Sequence, residues 1–369
     1  MLDGQLHLQT LPIPEPGPNE ALVRVLAAGI CGSDLHCRTH TAELLAATKM
    51  ATGTELFDVN APIVMGHEFC AEVVSYGPSS RATLPPGTRV ASPGLLLRDP
   101  MRLIGYAGPE TPGGYAEYML LSEDLMFPVL ENVSDEIAAL AEPMTVALHA
   151  VTRGGLAPNV VPLVIGCGPV GLAIIAVLKM RGYGPIVAAD FSPARRSLAT
   201  AMGTDVVVDP RVISPYDAWR EAAQTDDPVL LGPQNPMVPG AFRPQTIFEC
   251  VGVPGVMAQV LAGATAGSKI VVAGVCMQGD SDSHAHGHTR SEAGDGPCSG
   301  FPHTLRGLLG SVPGTPEDTP IHKCGNRSCE SKLGQPNNDH GRQLSSTYRT
   351  TPTWAGRRPT ATGERLSQH

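Results

Sequence analysis

A chain of 369 residues, 42% hydrophobic and 17% charged, has room for two domains that each bury a core. Its formal net charge of −9 excludes binding driven by attraction to nucleic-acid phosphates. Nine cysteines at irregular spacings read as the reduced thiols of a cytoplasmic protein, and the sequence carries neither a basic signal-peptide start nor an apolar run of membrane length.

The first third is β-rich. Ala21–Leu26 and Ala71–Val74 read as strands, as does Gly114–Leu120, and Pro and Gly clusters such as Pro85-Pro86-Gly87 punctuate them. Between the first two strands, the segment Gly29–His36 gathers several reactive groups. Cys31 is a thiolate donor whose pKa a bound metal would depress. Ser33 can take a proton from a metal-bound alcohol, and His36 can pass it towards solvent. Asp34 is suited to accept the free ring N–H of His67 and fix its tautomer. His67-Glu68 follows the apolar run Pro62–Met65, with Gly66 allowing the turn. A helical pattern then runs from Ser134, an N-cap, to Val151, with Gly154-Gly155 as its stop, and carries Glu142.

Taken singly, Cys31 reads equally as a small buried hydrophobe, His67-Glu68 as a surface pair and Glu142 as a first-turn acid. In that order, ahead of a nucleotide fingerprint, they have no comparably bland reading. A thiolate, an imidazole and carboxylates on three segments suit zinc, and three firm ligands leave one position open for catalysis.

The middle third alternates strand and helix, which implies a parallel sheet covered on both faces. Strands fall at Leu163–Ile165, Ile186–Asp190, Val206–Val208, Thr246–Glu249 and Ile270–Ala273, and helices at about Val170–Met180 and at Pro193–Ala201. A Pro-rich excursion runs from Asp227 to Pro244. The fingerprint Gly166-Cys167-Gly168-Pro169-Val170-Gly171 lies between the first strand and its helix, where glycines let the backbone close on a pyrophosphate. Asp190, about twenty residues on, would accept from ribose hydroxyls and repel a 2′-phosphate, favouring NAD over NADP; Arg195 and Arg196 nearby act the other way. After Gln278, Leu, Ile, Val and Phe fall to roughly a tenth of the residues, too few for a packed core. The alternating His284, His286 and His288 and the pair Cys324 and Cys329 lie in this tail and receive no function.

Together these residues resemble the zinc-dependent members of the medium-chain dehydrogenase/reductase family. The likeness is carried by GICGSDLH at 29–36, GHEFC at 66–70, GGYAEYML at 113–120, AEPMTVALHAV at 141–151, GCGPVG at 166–171 and GVPG at 252–255, and spans about residues 5 to 278. It implies an α/β fold with a GroES-like β-rich catalytic domain at 1–152, a Rossmann doubly wound parallel sheet at 153–278, and an irregular or disordered tail at 279–369. It places the catalytic zinc on Cys31, His67 and Glu142, with Glu68 as a nearby or exchanging ligand, and the proton relay on Ser33 and His36. Gly166, Gly168, Pro169, Val170, Gly171, Asp190 and Arg195 become the NAD contacts. Glu142, where a cysteine is the alternative, makes the site similar to the polyol and threonine dehydrogenase branches. The implied reaction is hydride transfer between a secondary alcohol or polyol and NAD.

Four departures stand out. Ala71 replaces a usual glycine, Thr39–Asn60 is a longer connection than usual, and no cysteine lies between Gly87 and Gly113, so one catalytic zinc and no structural zinc are expected. Nothing after Gln278 resembles the family. A reading-frame shift near codon 279 accounts for that break and would remove the sheet edge through which the family forms homo-oligomers. A genuine divergent tail is the competing reading of the break, and the alternative to an enzyme is a non-catalytic, damaged product that retains only zinc or nucleotide binding. A zinc-free quinone-type reductase fits poorly, because such relatives lack the Cys31, His67 and Glu142 set.

Overall fold

The computed structural model describes residues 1–2, 4–233 and 240–276; the tail at 279–369 and part of the Pro-rich excursion lie outside the described residues. The first half contains β1 (Glu20–Ala28), α1 (Gly32–Thr39), α2 (Thr41–Thr52), β2 (Phe69–Tyr76), β3 (Arg89–Ala91), β4 (Leu95–Leu96), β5 (Arg102–Leu103), β6 (Tyr118–Ser122) and β7 (Phe127–Pro128). Five of the strands form a sheet in the order β6-β1-β2-β3-β7, every pair antiparallel, while β4 and β5 make a separate antiparallel pair. Alternation explains the burial: Ala21, Val23, Ala71 and Val73 point inward against Phe69, Val90, Leu96, Met119 and Leu121.

Two features differ from the sequence expectation. The third strand begins at Tyr118 rather than Gly114, because residues 113–115 bond backward instead: the Gly113, Gly114 and Tyr115 N–H groups donate to the carbonyls of Val64, Gly66 and Met65 at 2.8–3.0 Å. The helix expected from Ser134 to Val151 is two helices, α3 (Asp135–Ala139) and α4 (Ala141–Arg153). Pro143 has no N–H to give the Ala139 carbonyl, so the helix must restart, and proline is tolerated in the new first turn. Ser134 caps α3 as expected, its Oγ accepting from the Ile137 N–H. The long Thr39–Asn60 connection is mostly α2, which the sequence reading left unassigned.

The second half contains β8 (Val161–Ile165), α5 (Pro169–Met180), β9 (Val187–Ala189), α6 (Pro193–Ala201), β10 (Val206–Val208), α7 (Pro215–Ala223), β11 (Gln245–Glu249), α8 (Val256–Gly263) and β12 (Lys269–Val272). The strands are parallel in the order β10-β9-β8-β11-β12. Their alternate residues enter two cores. Val164, Ala188 and Phe248 meet α4, α5 and α6, whereas Leu163, Val187 and Ile247 meet α7 and α8, including the fully buried Trp219. Burial on both faces is why these strands read as continuous apolar runs. The direction in which strands are added reverses between β8 and β11, which opens a crevice beyond their carboxyl ends.

Candidate active site

Cys31 is the N-cap of α1 and presents its side chain where β1 gives way to the helix. Its own N–H donates to Asp34 Oδ2 at 3.0 Å, so the first helical turn fixes both residues together. His67 follows Gly66, whose φ of +96° suits glycine; a Cβ there would sit 2.6 Å from the Tyr115 ring and 2.8 Å from its backbone nitrogen. Glu68 is buried at the start of β2, and its carboxylate fills the space beside Gly29, where any side chain would collide with it.

The ligand atoms of Cys31, His67 and Glu68 all lie within 4.8 Å of one another. Asp34, 2% exposed, stands behind them. Its Oδ2 also accepts from the Tyr115 hydroxyl at 2.9 Å, and its Oδ1 lies 3.4 Å from His67 Nδ1. This arrangement favours the Nδ1–H tautomer and leaves Nε2 for a metal. Ser33 Oγ is 3.3 Å from His67 Nε2 and accepts from the Tyr106 hydroxyl at 2.9 Å. The direct hydrogen bonds of Ser33 therefore go to His67 and Tyr106 and not to His36, whose ring lies edge-on to His40 at 6.1 Å with Nδ1 buried and unbonded.

Electrostatics give this cluster a surplus of negative groups. Burial opposes a charge on His67, yet hydrogen bonding and charge from Asp34 and Cys31 hold its pKa well above the usual histidine value. Burial acts upward on Asp34 as well, but His67, the Tyr115 hydroxyl and the Cys31 N–H outweigh it and keep the carboxyl below its ordinary value. Burial pushes Glu68 up. Glu142, in the first turn of α4, lies outside the compact triad but within its field: burial pushes it up to about 7, His67 offsets part of this, and Glu68 and Asp34 add to it. Three carboxylates and a thiol around one imidazole are poorly balanced alone. A divalent, borderline-soft cation would relieve the repulsion and match the donors, so the residues fit zinc.

Asp34→Asn tests the support behind His67. The amide keeps the volume but lowers the pull on Nδ1–H, and zinc affinity should fall about 10- to 100-fold in competition with a chelator. An unchanged affinity would mean that Asp34 does not orient the imidazole.

The second candidate region lies in the crevice. Gly166 has a φ of +91° after β8, Gly168 caps α5, and Pro169 occupies its first turn. No acidic residue sits in that turn, so the N–H groups at the helix start face an anion-compatible end. Asp190 follows β9 and is 8% exposed. Its Oδ2 accepts from the Cys167 N–H at 2.8 Å and its Oδ1 from the Ser192 N–H at 2.7 Å, which ties the fingerprint loop to the next strand end. Arg195 Nη1 is 3.7 Å from Asp190 Oδ2 and its side chain is half exposed. Arg196 instead binds the Asp190 and Phe191 carbonyls and pairs with Asp209.

Comparison with known proteins follows the same division. The chain matches the family model of the alcohol dehydrogenase GroES-like domain over residues 17–131 and that of the zinc-binding dehydrogenases over 169–292, the second reaching past the break expected at Gln278. It is 31% identical to a sorbitol dehydrogenase of Bos taurus over 299 residues, which is 78% of this chain and 77% of that one. It is also 31% identical to the (R,R)-butanediol dehydrogenase of Bacillus subtilis over 283 residues, 74% and 75% of the two chains. A Sinorhizobium meliloti 1021 structure, assigned as a zinc-binding dehydrogenase and solved with NADP, aligns at a TM-score of 0.58 and 28% identity over 75% of each chain.

Proposed function

The chain belongs to the zinc-dependent medium-chain dehydrogenase/reductase family, and from that membership we propose that it oxidises a secondary alcohol or polyol by hydride transfer to NAD. The observation that carries the reading is the convergence of Cys31, His67 and Glu68 within 4.8 Å, beside a serine hydroxyl. The zinc ligands are Cys31, His67, Glu68 and Glu142, with Glu68 the carboxylate already in range and Glu142 outside that triad on the first turn of α4. One zinc per chain is supported by this being the single compact donor set among the described residues. The division into 1–152 and 153–278 is supported by the two sheets, one antiparallel and one parallel. A cytoplasmic setting is supported by the six free cysteines among the described residues, and no helix there is long and apolar enough to cross a membrane.

When bound, zinc supplies a Lewis acid that acidifies a hydroxyl, and the nicotinamide supplies the hydride acceptor. The rest is done by side chains. Asp34 holds His67 in the tautomer that frees Nε2. Ser33 Oγ accepts the proton of the substrate hydroxyl, and an intervening hydroxyl or water carries it on to His36. The start of α5 orients the pyrophosphate, and Asp190 meets the ribose. The Asp190 carboxylate favours NAD, because a 2′-phosphate would approach a buried anion; the Arg195 guanidinium beside it softens that preference without reversing it. Kinship with sorbitol and butanediol dehydrogenases favours this enzyme over a product that only binds zinc or nucleotide.

The test is the zinc-loaded full chain offered 2,3-butanediol, sorbitol and simple secondary alcohols, with NAD or NADP, followed by absorbance of the reduced cofactor. Turnover of at least one substrate, faster with NAD, is expected. Rates no higher than those of the metal-stripped chain would reject the reading.

A further inference from the structure

Tyr106 has no part in the chemistry above, yet it touches both halves of it. It is 4% exposed, its hydroxyl donates to Ser33 Oγ at 2.9 Å, and its ring stacks on His67 with centroids 5.6 Å apart and planes 27° from parallel. One side chain thus contacts the hydroxyl assigned to proton removal and the imidazole assigned to the metal.

The loop that carries it is held on several sides. The Tyr106 N–H donates to the Leu103 carbonyl at 3.2 Å, the Ile104 N–H to Gly94 at 2.9 Å, and the next residue, Ala107, accepts from the Val64 N–H at 3.1 Å. Gly105, with a φ of +89°, lets this loop lie against the Gly66 backbone, where a Cβ would be 2.9 Å from the Gly66 carbonyl oxygen. The ring itself packs in a core with Cys37, Leu44, Ile63 and Met65. Tyr106 is therefore a fixed platform.

A serine hydroxyl rotates among three staggered positions unless its partners choose one. Ser33 has two, His67 Nε2 and the Tyr106 hydroxyl. His67 Nε2 would hold the metal through its lone pair, and of the two partners the Tyr106 hydroxyl would then remain to hold Ser33.

We propose that Tyr106 is a positioning residue for Ser33: its hydroxyl fills one Oγ lone pair and aims the other at the substrate hydroxyl, while its ring keeps the His67 plane. This deepens the reading above and rests on it. The Ser33 relay is set by a tyrosine 73 residues away, and Tyr106 gains or loses no proton in the reaction.

The test compares zinc-loaded full-length wild type, Tyr106→Phe, Ser33→Ala and the double variant. Phenylalanine keeps the stacked ring and removes the hydroxyl that donates to Ser33. In alcohol oxidation with NAD, Tyr106→Phe should lower kcat about 10- to 100-fold, leave both KM values within about twofold, and cost nothing further once Ser33 is alanine. Urea unfolding of the same four chains reads the hydrogen bond without activity, and the double variant should lose less stability than the two singles summed. Unchanged kcat in Tyr106→Phe, multiplicative losses in the double, or additive unfolding would each overturn the assignment. If wild type oxidises no alcohol, the chemical reading falls, and the unfolding cycle alone decides whether Tyr106 holds Ser33.

Discussion

Cys31→Ala is expected to strip the chain of zinc and to lower kcat/KM by at least about 10³-fold, since a Lewis-acid metal contributes several kcal/mol to such a reaction. Cys31 offers the only thiolate in the triad, and without it an imidazole and carboxylates remain, a set less selective for zinc. The loss should come from the metal and not from the fold. Cys31 is a partly exposed cap whose backbone hydrogen bonds, its N–H to Asp34 Oδ2 and its carbonyl to the Asp34 N–H, alanine keeps; the thiol's own contacts with the Asp34 N–H, His67 and Glu68 go with it, at a cost of about 1 kcal/mol or less. Elemental analysis of the dialysed variant should find zinc far below that of wild type, while circular dichroism and the metal-free urea midpoint stay close to wild type. A variant that retains zinc and activity would remove Cys31 from the ligand set.

The fingerprint glycines should separate into two kinds. A Cβ on Gly171 would collide with the Gly166 carbonyl oxygen inside the turn, whereas a Cβ on Gly168 meets nothing within 4 Å. Gly171→Ala must therefore open the turn. It should cost about 1–3 kcal/mol of stability, as overpacking does, and weaken NAD binding more than tenfold. Gly168→Ala enters space left for the pyrophosphate, at a φ of −72° that alanine accepts, so it should spare stability and weaken only the nucleotide. Thermal unfolding with and without NAD, together with a titration of intrinsic fluorescence, distinguishes the two. Equal effects of both substitutions on stability and binding would contradict this account of the turn.

The parts of the molecule legible in the sequence are those where one local rule suffices. The strand, glycine turn, helix and acid around Gly166–Asp190 lie within thirty or so residues, and α6 and β10 fall where periodicity and capping place them. Cys31, His67 and Glu68 were legible as candidate ligand types in order, which the fold brings within 4.8 Å, and Asp34 as the acid beside His67, 3.4 Å from its Nδ1. Long-range geometry was not. Nothing in the text near Tyr106 or Tyr115 announces a hydroxyl directed at Ser33 or Asp34, 73 and 81 residues away, because those contacts exist only once residues 113–115 pair with 64–66. The break between α3 and α4 was legible in principle at Pro143, but the apolar periodicity continues through it. Helices α7 and α8 carry their apolar residues in short stretches next to turn signals and were not read from the sequence; the Ser214 cap and the first-turn Pro215 are the local signals that α7 does carry.

The central claim is that zinc sits among one thiolate, one imidazole and carboxylate oxygens at Cys31, His67, Glu68 and Glu142. X-ray absorption at the zinc edge of the full chain loaded with one equivalent tests it most directly. The account predicts a single sulfur at about 2.3 Å with the remaining ligands nitrogen or oxygen at about 2.0–2.2 Å, and loss of the sulfur in Cys31→Ala. Two or more sulfurs, or none, in the wild-type spectrum would contradict it.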